Sequence, residues 1–290
     1  MAGVPGQGRR HGPDPGGTVR IIIRDGEPVT GSNLQVDVED SGFLYGDSLF
    51  ETLRAEQGEL IWVGQHLERI ETACRLSGIP FDRQLAQRGL DEVCRRSGKT
   101  TARVRLTVSR VGADGRPRQL VTACPYQPPA TESYRNGVDC IYAANRRVNA
   151  VSHLPQMKRG NYADCLYASR QARAAGAFEA LFLEPDGMLL EGAISNLFLL
   201  VDGVLLTPPA GDLVLPGTAR AEILKAAKKI GLPVREQPLH RKRLDSAAEV
   251  MLSNSLFGLI PVRSIAGHNL PRGPIAATLR KQLGFPFDST

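Results

Sequence analysis

The sequence predicts an α+β protein built from two mixed α/β domains. Three observations point there. Helical and strand-like patterns alternate in both halves, and the strands come in hairpin-like sets rather than in the repeats of a doubly wound parallel sheet. Pro125-Tyr126-Gln127-Pro128-Pro129 breaks the composition near the middle. The chain has 290 residues, room for one large domain or two of ordinary size, and its 42% hydrophobic and 23% charged residues are typical of a globular protein. The expected division is a disordered tail over 1–17, a small N-terminal domain over 18–125, a linker over 126–136 and a larger C-terminal domain over 137–290.

Residues 1–17 hold six glycines and three prolines and too little apolar surface to offset the entropy of ordering. Gly6-Gln7-Gly8 has the look of a dinucleotide loop, but no strand precedes it, so it is set aside. Val19 to Arg24 reads as a strand and Asp25-Gly26 as a tight turn. Leu60 to Val63 reads as a short strand. Gln65 to Ser77 places Leu67, Ile70, Ala73, Cys74 and Leu76 at helical spacing, with Gly78 as the stop. Leu85 to Arg96 repeats the pattern. Thr101 to Ser109 alternates as a strand and sets Arg103, Arg105 and Thr107 on one face. Beyond the proline-rich break, Val138 to Ala143 reads as a strand and Asn161 to Ala175 as a helix. Strands follow at 180–183, 188–190 and 196–200, joined by turns at Asp186-Gly187 and Asp202-Gly203. Ala219 to Ile230 reads as a helix entered from Leu215-Pro216-Gly217, and Ala248 to Leu252 as a strand.

Composition narrows the class. The apolar run from Leu197 to Leu206 is interrupted by Asp202 and Gly203 and is too short to span a bilayer, so no membrane association is expected. The N-terminus lacks the apolar core of a signal peptide, which makes the cytoplasm the expected compartment. The five cysteines form no CxxC pair and read as reduced core residues rather than a disulfide frame or a metal site. The net charge is +6, but the basic residues are scattered with few aromatics between them, so no nucleic-acid partner is expected.

Specific segments say more. Tyr45-Gly-Asp-Ser-Leu-Phe-Glu-Thr-Leu-Arg54 is followed by His66-Leu-Glu-Arg69, Lys158-Arg-Gly-Asn-Tyr162 and Glu191-Gly-Ala-Ile-Ser-Asn-Leu-Phe198. Leu215-Pro-Gly-Thr-Ala-Arg220, Ser253-Asn-Ser255 and Pro261-Val262 complete the set. In that order and spacing the chain resembles the class IV, or fold-type IV, pyridoxal-phosphate enzymes from about Val19 to Ile265. That family includes branched-chain and D-amino-acid aminotransferases and 4-amino-4-deoxychorismate lyases. The resemblance implies the two-domain fold of the D-amino-acid aminotransferase type, pyridoxal 5'-phosphate as cofactor, a small-molecule amino substrate and a homodimer.

It also implies roles for single residues, each with a chemical reason. Lys158 would bind the cofactor covalently and then move a proton. Glu191 would keep the cofactor's ring nitrogen protonated, as a carboxylate favours the cationic form. The amides of Gly217, Thr218 and Ala219 open a helix and would meet the phosphate. Many relatives carry threonine where this chain has Ala219, which leaves the backbone amide as the contact. Arg69 would pair with the phosphate and Ser255 would add a hydroxyl. Tyr162, four residues after Lys158, would meet the phenolic oxygen, and Tyr45 would line the substrate pocket across a dimer interface. His66 reads as structural.

Branched-chain enzymes read FEG where this chain has Phe50-Glu51-Thr52, and GTA where it has Asn254-Ser255-Leu256. Both departures lean toward the lyases, as does the basic, glycine-containing loop Ser109 to Arg116. Arg103, Arg105 and Arg116 would then meet the two carboxylates of aminodeoxychorismate, and Thr52 would assist protonation of the leaving group. The alternative is an aminotransferase acting on branched-chain or D-amino acids with a 2-oxo acid acceptor. A binding protein that kept the fold without the chemistry would be favoured only had Lys158 or Glu191 been replaced.

Overall fold

The computed structural model describes residues 21–29, 35–36, 38–110, 118–147, 154, 157–284 and 286–287. The expected tail, Val19, Arg20 and Arg116 lie outside them.

The first half of the chain folds into a six-stranded sheet, antiparallel throughout. Its members in chain order are β1 (Ile21–Arg24), β2 (Glu27–Pro28), β3 (Ser48–Glu56), β4 (Glu59–Leu60), β5 (Ala102–Ser109) and β6 (Arg118–Pro125), and their spatial order is β2-β1-β6-β5-β3-β4. Asp25 and Gly26 sit at φ 51° and 85°, the paired positive values that let a two-residue loop follow the strand twist. A short helix α1 (Ser41–Leu44) precedes β3, and its Asp40 cap accepts from Phe43 N at 3.0 Å. Helices α2 (Val63–Ser77) and α3 (Arg83–Ser97) cover one face of the sheet. Leu67, Ile70, Leu90 and Val93 pack there against Leu49, Leu53, Val104 and Val121. Each such side chain contributes ~1.5–3 kcal/mol by leaving water. Gly78, at φ 65°, ends α2, and the Asp82 carboxylate caps α3.

Two expectations change here. The segment read as a strand over 60–63 ends as β4 at Leu60; Trp62 takes a left-handed backbone, φ 55°, and α2 starts two residues early. Strands β3 and β6 were not foreseen. In β3 the buried polar side chains of Glu51 and Arg54 break the apolar alternation that would reveal a strand.

The second half forms a ten-stranded sheet. Helix α4 (Thr131–Asn136), within the expected linker, leads to β7 (Val138–Tyr142) and, after the lysine segment, to α5 (Ala163–Ala174). Then come β8 (Glu179–Leu183), β9 (Met188–Gly192), β10 (Asn196–Val201), β11 (Val204–Thr207), α6 (Thr218–Lys229), β12 (Val234–Glu236) and β13 (Leu239–His240). A 3-10 turn at Arg241–Ser246 precedes β14 (Glu249–Asn254), β15 (Gly258–Ile265), β16 (His268–Asn269) and α7 (Ile275–Leu283). The spatial order is β12-β11-β10-β14-β15-β7-β8-β9-β13, with β16 beside β15. Three pairs are parallel, β11 with β12, β7 with β15 and β7 with β8. Helices α6 and α7 pack on Phe198, Met251 and Leu259, while Leu197, Leu199 and Leu252 face the opposite core. Strand β10 is therefore buried on both faces, which is why its sequence is apolar from Leu197 to Val201. All five cysteines are buried and free. No helix among the described residues is long and apolar enough to cross a membrane.

Candidate active site

A cavity of ≈ 590 Å³ is lined by residues of both sheets. Thr52, Arg69, Arg103, Arg105, Lys158, Tyr162, Glu191, Gly217, Thr218, Ala219 and Ser255 all line it, although they span some two hundred positions of the chain. Tyr45 does not line the cavity of its own chain; it is 76% exposed. Arg116 falls outside the described residues.

Lys158 is held by its backbone rather than by a helix. Its carbonyl accepts from Phe50 N at 3.0 Å, Gly160 N donates to Ser48 O at 2.7 Å, and Arg159 bridges to Leu49, so the segment runs along β3. A Cβ on Gly160 would strike the Ser48 hydroxyl, which is why this approach needs glycine. The Lys158 ammonium lies 4.4 Å from the Phe50 ring centre and 5.2 Å from that of Tyr162. Burial, with Arg69 and Arg105 nearby, brings its pKa down to about 8, against the opposing pull of Glu51.

Glu191 is the penultimate residue of β9 and is buried. One carboxylate oxygen pairs with Arg147 Nε at 2.5 Å; the other accepts from Asn196 Nδ2 and Leu215 N, each at 3.0 Å. Burial raises its carboxyl above the ordinary value, and Arg147 and the Leu215 amide oppose this. Tyr162 donates its hydroxyl to Ala193 O at 2.7 Å and stands edge-on to Phe50, with burial pushing its phenol well up.

At the other end of the cavity α6 presents its N-terminus. Gly217 is its cap, and a Cβ there would collide with the Asn196 amide oxygen, so only glycine lets the helix start this close to Glu191's partner. Arg69 reaches the same place. Its Nε and Nη2 grip the two Glu51 oxygens at 2.7 and 2.5 Å, and Nη1 donates to Pro216 O at 2.9 Å. These bonds use three of the five N–H donors of a guanidinium. Burial would raise the Glu51 carboxyl, but Arg69 and His66 hold it at about 2. His66 lies 2.6 Å from Glu51 through Nδ1, which must be the donor because an ionised carboxylate only accepts. Burial lowers the pKa of His66.

Glu51, Arg147 and Asn196 were missed as site residues. Glu51 stands in the sequence only as part of the Tyr45–Arg54 motif, and its position between Phe50 and Leu53 in a strand with few acids is the signal that could have marked it. The cavity's charge is lopsided. Arg69, Arg103, Arg105, Arg147 and Lys158 line it against the single carboxylate of Glu191 among the described residues. Such a site suits an anionic ligand that also needs an amine and a carboxylate partner, and pyridoxal phosphate has those three needs in its aldehyde, ring nitrogen and phosphate.

The sequence profile of the amino-transferase class IV family matches residues 48–265. The branched-chain-amino-acid aminotransferase of Escherichia coli K12 is 30% identical over 266 residues, covering 86% of this chain and 86% of its own. A hypothetical aminotransferase from Mycobacterium tuberculosis, solved with α-ketoglutarate and pyridoxamine phosphate, superposes with a TM-score of 0.84 at 26% identity, over 93% of this chain and 99% of that one. The 4-amino-4-deoxychorismate lyase of Pseudomonas aeruginosa superposes at 0.78 with 30% identity, over 92% and 99%. The family match runs from the first residue of β3 to the last of β15 and so takes in every charged cavity residue described above. The chain belongs to the class IV aminotransferases, enzymes that use pyridoxal 5'-phosphate as transaminases or lyases.

Proposed function

We propose that this protein is a 4-amino-4-deoxychorismate lyase, releasing pyruvate and leaving 4-aminobenzoate. The wall formed by the first sheet carries this reading. Thr52 pairs with Arg105 across β3 and β5, and Arg103 lies two residues away on the same cavity face. Arg105 stacks 3.7 Å from the Phe50 ring centre, and burial lowers its pKa to about 10. A branched aliphatic side chain against this wall would strip water from the guanidinium groups and return no hydrogen bond. A substrate with two carboxylates returns several, in charge-assisted form.

Bound pyridoxal phosphate supplies the electron sink for the reaction. Glu191, held by Arg147, Asn196 and Leu215, keeps a proton on the ring nitrogen. Arg69, Gly217, Thr218, Ala219 and Ser255 hold the phosphate, and Tyr162 stands on the phenolic side. Lys158 removes the proton from the amine-bearing carbon of the substrate. Thr52 assists protonation of the leaving enolpyruvyl group, which departs as pyruvate while the ring becomes aromatic. Arg103 and Arg105 hold the carboxylates, and Arg116 is proposed with them from sequence.

The test is turnover without an acceptor. The lyase is expected to yield many equivalents of pyruvate and 4-aminobenzoate per site with no 2-oxo acid added. A second reading, an aminotransferase, is supported by the name of the Escherichia coli relative and shares every step up to proton removal. It would give one equivalent per site with leucine or D-alanine and restart on adding 2-oxoglutarate. That outcome, with no pyruvate from aminodeoxychorismate, would reject the lyase.

We also propose a homodimer. Val36, Val38, Phe43, Leu44 and Tyr45 are five of the seven large apolar side chains exposed among the described residues. They run into Gly46, where a Cβ would lie 2.7 Å from Asn161 N, so the patch borders the lysine segment. A second copy covering it would remove this surface from water and bring Tyr45 to the cavity mouth. Light scattering is expected to give twice the 31.4 kDa chain mass, and Phe43→Asp to return the single-chain value. A parent protein at the single-chain mass at micromolar concentration would exclude it.

A further inference from the structure

Arg54 is 4% exposed and does not line the cavity. It lies on the same face of β3 as Thr52. Its Nε and Nη2 donate to one oxygen of Glu56 at 2.9 and 2.7 Å, and the other Glu56 oxygen accepts from Thr101 Oγ1 at 2.7 Å. Its Nη1 crosses to the second sheet and donates to Leu256 O at 3.0 Å. The guanidinium lies 5.8 Å from the ring centre of Tyr126, a cavity residue, and 5.4 Å from that of Phe287. Phe287 in turn stacks on Trp62, the only tryptophan, at 5.1 Å. A Cβ on Gly258, at φ 72°, would lie 2.7 Å from the Phe287 ring, so this backbone also needs glycine.

The loop Arg54 touches is otherwise tied down. The Asn254 side-chain oxygen accepts from Leu256 N and Phe257 N, each at 2.9 Å, and Tyr134 donates to Phe257 O at 3.1 Å. These bonds set the loop's curl and one end. The bond from Arg54 to the Leu256 carbonyl ties the loop to the first sheet, next to Ser255.

We infer that Arg54 is a positioning residue of the cofactor site, setting through Leu256 where the Ser255 hydroxyl stands and coupling the Thr52 wall to the anion cup. The inference rests on the reading of Ser255 as a phosphate partner. Arginine suits the task because its planar fork can grip Glu56, reach a carbonyl and offer its faces to two rings at once, which a lysine cannot.

The experiment follows release of pyridoxal phosphate from loaded protein by fluorescence. Ser255→Ala is expected to speed release about tenfold, the scale of one hydrogen bond to a charged group. Arg54→Met should do about the same, and Arg54→Lys should fall between Met and the parent. The double variant Arg54→Met/Ser255→Ala should release no faster than either single one, because both changes remove one contact. Folded Arg54→Met protein releasing at the parental rate, or effects that multiply in the double variant, would overturn the inference. Ser255→Ala at the parental rate would overturn the reading of the cup, and this inference with it. Should Arg54→Met not fold, Phe287→Leu keeps apolar bulk but removes the ring over the guanidinium. It is then expected to shift Trp62 emission and to speed release in the parent but not in Ser255→Ala; speeding release equally in both would overturn the inference.

Discussion

Lys158→Ala is expected to lose the visible absorption of the lysine-bound cofactor and more than about 10³-fold in turnover, since it removes both the covalent attachment and a proton-transfer group worth about 10²–10⁴. Among the described residues, Lys158 is the only lysine that lines the cavity; Lys225, for comparison, lies on the exposed side of α6 with its ammonium on Glu222. Borohydride reduction followed by peptide mapping should therefore find the cofactor on Lys158, and a label on Lys225 would reject the assignment. A pH dependence follows with a definite sign. Attachment needs the uncharged amine. With its pKa brought down to about 8 by burial and by Arg69, about half of the Lys158 side chains are expected to carry that form near pH 8. An unperturbed lysine would carry it in only about 0.4%. The rate of cofactor capture by cofactor-free protein should rise with pH and level off just above 8. A rise that continued toward 10 would show that the environment does not depress this lysine.

Glu191→Gln is expected to leave the chain folded and the cofactor attached, and to cut kcat by about two orders of magnitude or more, the scale of one preorganised electrostatic partner. The amide is isosteric but neutral, so it cannot favour a protonated ring nitrogen. It also meets three donors, Arg147 Nε, Asn196 Nδ2 and Leu215 N, with one acceptor where the carboxylate offers two. Retained visible absorption with a lowered kcat at saturating substrate would place the loss in the chemical step. An unchanged kcat would reject the proposed role.

Local signals were enough for much of the fold. The helices α2 and α3 show in the apolar spacing and in stops such as Gly78, α5 in its alanine content, α6 in its Leu215-Pro216-Gly217 entry, and β8 to β10 in the turns at Asp186-Gly187 and Asp202-Gly203. Periodicity failed where polar side chains are buried. Strand β3 holds Glu51 and Arg54 at 1% and 4% exposure, and nothing local says that these charges have partners.

The site divides along the same line. The sequence by itself determined the family and with it the cofactor, because the motifs around Lys158, Glu191 and Gly217-Thr218 stand in the order and spacing that carry the resemblance, within the residues that the family profile matches. The tertiary structure alone decided how the groups are held: Arg147 against Glu191, Arg69 and His66 against Glu51, and Arg54 against a carbonyl 202 positions away. It also left Tyr45 outside its own cavity. The physical reason is that a charge can stay buried only if its partner is buried beside it. Which partner that is depends on strand register and on how the two sheets meet, distances that no local pattern in the chain encodes.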